Sequence, residues 1–145
     1  MPDLVITPSG VQAGTGAQTQ NLTSANNLNA GDVLYKNSAS PALWDKATAN
    51  GSAIQSGTLG LAIALGSTPG PSQPFVGLIS GAWNPGNGGS LSNGQIYVVS
   101  PQPGKICPVG DLLAGQYPSI LGGGLNSNTI NSPSRGFFPV GVPKG

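Results

Sequence analysis

Glycine and proline set the strongest constraint on what this chain can fold into. They number 24 and 14 and fall between short apolar runs, where they act as turn signals. Thr58 to Leu65 is a continuous apolar run of strand length, the pattern of a strand buried on both faces. Phe75-Val76-Gly77-Leu78-Ile79-Ser80 is another, and Gly81-Ala82-Trp83-Asn84 is expected to continue it through a bulge. Gln95 to Val99 has the clearest β-branched and aromatic content. Lys105 to Val109, beyond Pro101 to Gly104, is its expected hairpin partner. Asp32 to Lys36, Ala42 to Ala47, Gln116 to Gly122 and Asn128 to Ile130 complete the set, with Pro118 placing its segment at an edge or a strand start. Asn87-Gly88-Gly89 and Asn93-Gly94 supply turns. The best helical candidate is one turn near Gly110 to Gly115, with Asp111 as cap and Gly115 as stop. Strand candidates spaced by roughly 8–15 residues predict an all-β fold, a small β-barrel or sandwich.

At 145 residues the chain favours one domain, residues 31–145, preceded by an extended N-terminal arm over residues 1–30. The arm carries Leu4-Val5-Ile6 and Val11 and then an Asn/Ser/Thr-rich stretch without helical period. It reads as a strap over a neighbouring subunit. A net charge of +1 argues against plain disorder, which pairs low hydrophobicity with high net charge.

The same composition narrows the chemistry. There is no histidine and no glutamate, and Asp3, Asp32, Asp45 and Asp111 are the only acids. A Ser-His-Asp triad therefore has no base, and a Ser–Lys pair would need a buried lysine. Asp32 follows Gly31 and Asp111 follows Gly110, which is ordinary turn chemistry. No Asp-x-Asp cluster suggests calcium, and the Gly-rich stretches lack the strand–loop–helix context of a phosphate loop. The single Cys107 forms no intramolecular disulfide and reads as a small buried residue. The expectation is a protein that is not an enzyme and takes no cofactor and no metal. The weak charge offers no footprint for nucleic acid or for an acidic membrane surface. No secretory signal is evident at the N-terminus, and no run is long enough to span a bilayer.

What remains is contact. Trp44, Trp83, Tyr35, Tyr97 and Tyr117 lie in or beside strand candidates, as core or as interface anchors. Adjacent strand residues point to opposite sides, so one of Phe137 and Phe138 would need a cover beyond the core. The candidate interface residues are Leu4, Val5, Ile6, Val11, Trp44, Trp83, Phe137 and Phe138.

Asn29-Ala30-Gly31-Asp32-Val33-Leu34-Tyr35 resembles a strand of small bacteriophage capsid decoration, or cement, proteins. Leu59 to Ala64 and Val76 to Gly81 are similar to two further strands of that family. Leu91 to Ser100, followed by Pro103 to Pro108, resembles a strand–turn–strand of phage virion proteins, tail-fibre modules included; Tyr117 to Gly122 is the last matching piece. The resemblance covers about residues 29–131 and leaves the arm and the Pro-rich C-terminus uncovered. It implies a structural virion protein on the outer surface of an icosahedral head, bound to the major capsid protein and stabilising contacts between its subunits. Self-association is expected, as a homotrimer first and a dimer second. The alternative is a β-module of a tail fibre or receptor-binding protein.

Overall fold

The computed structural model describes residues 3–4, 6–14, 16–37, 42–86, 91–126, 128–132 and 143–144. The fold is all-β. Its strands are β1 (Val11–Ala13), β2 (Gln18–Thr23), β3 (Val33–Lys36), β4 (Trp44–Lys46), β5 (Leu61–Ala64), β6 (Pro74–Pro85), β7 (Ile96–Val99), β8 (Ile106–Pro108), β9 (Ile120–Gly124) and β10 (Ile130–Ser132). They form one antiparallel sheet in the order β4-β3-β5-β6-β10-β9-β7-β8, with β1 and β2 also on β6.

The longest strand, β6, is the spine. Its first half pairs with β5 and with β2, and its second half with β10 and with β1. β1 lies opposite Pro85 to Trp83 and β2 opposite Ser80 to Pro74, so the two strands run antiparallel to β6, one along each half. The expected bulge is present: Gln18 faces Ser80 and Thr19 faces Leu78, leaving Ile79 unopposed. Gly81 follows at φ +103, and a Cβ there would come within 2.7 Å of the Ala17 Cα. A β-branched or bulky residue could adopt neither the angle nor the approach. The bulge reverses the parity of β6, which sends Trp83 to the face already used by Leu78.

Two apolar layers follow from this geometry. The larger lies between the halves of the curled sheet. It joins Val33, Leu61, Ile63 and Leu78 to Trp83, Tyr97, Val99, Ile106, Leu121 and Ile130. The smaller lines the other face of β3, β5 and the first half of β6, with Leu22, Leu28, Leu34, Trp44, Ala62, Ala64 and Phe75. All four residues of β5 are therefore buried, alternating between the layers, as its unbroken apolar run predicts. The sheet curls into a half-barrel. The curl carries Ser24, after β2, to a bridge with Trp44 of β4, and the Ala25 N–H donates to the Trp44 carbonyl at 2.8 Å.

Local signals mostly translate directly. β7 and β8 form the expected hairpin. β9 begins two residues after Pro118, at Ile120. The expected helical turn is a 3-10 turn over Val109–Asp111, so Asp111 sits in it rather than capping it from outside. The Asn87-Gly88-Gly89 turn lies outside the described residues.

Candidate functional site

The clearest concavity gathers chemistry from four separate places. The turn after β7 contributes Ser100, Pro101 and Gln102, β8 and the residue before it Cys107 and Lys105, the 3-10 turn Asp111, and the N-terminal segment Asp3. Together they line an open cleft of about 480 Å³. The Leu4 N–H donates to the Ile106 carbonyl at 2.9 Å, which pins Asp3 beside β8. The Ser100 hydroxyl then donates to Asp3 Oδ1 at 2.5 Å and accepts from the Gln102 N–H at 3.1 Å. Ser100 is fully buried and so acts as a fixed post for the Asp3 carboxylate.

Cys107 is also buried. Its thiol is pushed up to about 11, by burial first and then by the negative charges of Asp3 and Asp111. A reactive cysteine sits among cations that favour the thiolate; this one sits beside anions that disfavour it. The cleft therefore holds Cys107 as a neutral thiol, and its polar lining is two carboxylates, a hydroxyl, an amide and the Lys105 ammonium.

Next to the cleft, Asp32 is buried and its carboxyl is raised above the usual range, chiefly by desolvation. Three effects oppose that rise: the Asn29 N–H at 2.9 Å, then Lys46 and Lys105 by charge. Lys46 Nζ lies 4.0 Å from Asp32 Oδ2. The Asp32 N–H donates back to the Asn29 carbonyl at 3.0 Å, which bears out the turn role expected of this residue.

The expected interface residues divide differently. Leu4 and Ile6 are half-buried and pack on the larger apolar layer of their own chain. Val11 is buried on β1. Trp83 is entirely enclosed, and its indole N–H donates to the Ser132 Oγ at 3.3 Å. Trp44 fills the smaller layer. Val11, Trp44 and Trp83 belong to the chain's own core, and Leu4 and Ile6 pack against it. The physical reason is that β6 takes the strand of Val11 as a partner, and the two apolar layers need large fillers, which Trp83 and Trp44 supply. Val5, Phe137 and Phe138 lie outside the described residues. Among the described residues, the large apolar side chains that do stand out are Ile54, Leu59, Val76, Ile96, Leu113 and Leu125. Leu113 is the most exposed of them, at 69%. Sequence reasoning missed this set because each sits within an ordinary apolar run or turn, and only the fold decides which member faces out.

Among the described residues no group of three or more His, Cys, Asp or Glu side chains could hold a metal ion. No protein-family model matches the chain, and neither does any curated protein or solved structure.

Proposed function

We propose that this chain is a structural virion protein: a capsid cement, or decoration, protein on the outer surface of an icosahedral phage head, bound to the major capsid protein and to copies of itself. The observation that carries the reading is the scatter of exposed apolar side chains on a sheet-built frame with little charge. Against a partner, such side chains would bury apolar area at the centre of a contact while short polar neighbours form its rim. The resemblance of residues 29–131 to phage decoration proteins supplies the partner. Many copies held in register on one shell multiply weak individual contacts by avidity.

The expected anchors are the protruding side chains rather than the N-terminal segment, since β1 and β2 are laid along the chain's own β6. The test is cosedimentation of the purified chain with capsids stripped of their decoration. Saturable binding that weakens in Leu59→Asp, Ile96→Asp or Leu113→Asp supports the proposal. A folded chain that never sediments with capsids overturns it and favours the tail-fibre module.

A further inference from the structure

Among the described residues, the edge formed by β2 has a pairing capacity that no other strand uses. In an antiparallel ladder, a residue whose amide faces away from its partner lies opposite one that also faces away. The Leu65 N–H donates to the Val76 carbonyl at 2.9 Å, so Val76 turns its backbone towards β5. Asn21 lies directly opposite Val76, and Thr19 opposite Leu78, which is itself paired with Ile63 of β5. Thr19 and Asn21 therefore point their N–H and C=O groups outward. Among the described residues β2 has no ladder partner other than β6. Gln18, Thr19, Gln20 and Asn21 are all exposed, so both faces of this strand segment meet solvent.

Edge strands are usually protected by lysine, proline or an inward-pointing charge. None is present over residues 11–23, and the sequence holds no charged residue between Asp3 and Asp32. Two copies can thus bring these edges together without electrostatic repulsion. A two-fold axis through Gln20 places Thr19 opposite Asn21 of the second copy and Asn21 opposite its Thr19, each pair exchanging both backbone hydrogen bonds. The bridge from Ser24 to Trp44 closes the edge just beyond, which limits how far the register can slip.

We propose that β2 is a self-association edge, through which two copies of this chain join their sheets antiparallel about Gln20. The contact is isologous, so it yields a dimer rather than a trimer. It holds whether or not the chain binds a capsid.

The experiment is sedimentation velocity of the full chain over a wide concentration range, with Gln20→Lys, Gln20→Glu and Asn21→Pro. Gln20 is exposed in the single chain, so its charge variants keep the fold, checked by thermal melting. Across the two-fold, like charges would stand with Cβ atoms about 5 Å apart and weaken association about fivefold or more. Asn21→Pro removes an outward N–H from each copy and blocks the edge without touching the β2–β6 ladder. The expected result is a wild-type dimer, monomeric variants, and recovery of dimer on mixing Gln20→Lys with Gln20→Glu. A monomeric wild type overturns the proposal, as does an oligomer that none of these variants changes.

Discussion

Replacing Ser132 by alanine tests how the two halves of the sheet are tied at their centre. Ser132 is 2% exposed on β10. Its hydroxyl donates to the Leu121 carbonyl at 2.5 Å and accepts from the Trp83 indole N–H at 3.3 Å. One oxygen thus joins β10, β9 and β6. Ser132→Ala leaves a buried donor and a buried acceptor without partners. Each costs about 1–3 kcal/mol, so the change costs about 2–4 kcal/mol after partial relaxation. For a chain of this size that lowers the Tm by roughly 5–15 °C. Urea unfolding followed by tryptophan fluorescence should show a lower midpoint with an unchanged slope. Trp83→Phe in the Ser132→Ala background should cost less than in the wild type by about 1 kcal/mol, the coupling of the shared hydrogen bond. An unfolding free energy for Ser132→Ala within about 0.5 kcal/mol of wild type would refute the argument.

Further outcomes follow from the buried titrating groups and the bulge. Cys107, raised from 9.0 to about 11, contributes stability that is present in full below pH 9 and lost as the pH rises through 11. Cys107→Ala should therefore lose less stability over that window, and the native thiol should resist a disulfide reagent at pH 8 until the protein unfolds; rapid native labelling would contradict this. Asp32 is raised above 3.8, so its contribution is complete below that pH and declines as the pH passes its folded value. Asp32→Asn keeps an acceptor for the Asn29 N–H and should flatten the acid side of the stability profile; an unchanged profile would count against the burial argument. Gly81→Ala combines the strain of positive φ with a clash on Ala17, and chemical denaturation should show a loss of about 2 kcal/mol or more.

The parts of the fold set by neighbours in sequence were legible. β5 announced its double burial by an unbroken apolar run, and the β7–β8 hairpin by two β-rich runs around Pro101 to Gly104. The placement of β2 was not, because Gln, Thr and Asn at both faces of a strand carry no hydrophobic period. Only β6, some sixty residues later, makes them a strand. The cleft was equally hidden: Asp3 and Asp111 stand far apart in the chain, and no local motif joins them. Trp83 was open between core and surface until the bulge at Ile79 set the parity of β6, and Trp44 until β4 turned it into the smaller layer.

The position of β6 also orders events during synthesis. β1 and β2 emerge from the ribosome long before Pro74 to Pro85, the residues on which they lie. At about 5–20 residues per second they wait several seconds as an uncharged, unpaired stretch. β10, which flanks the second half of β6, is made later still. The sheet can grow from its β3–β4 hairpin through β5, but it cannot take in β1 and β2 until β6 is made. It must gather around a central strand whose partners arrive from both directions along the chain, a high-contact-order route that makes folding slow. Through that interval β1 and β2 stand open to a chaperone or to a second nascent chain.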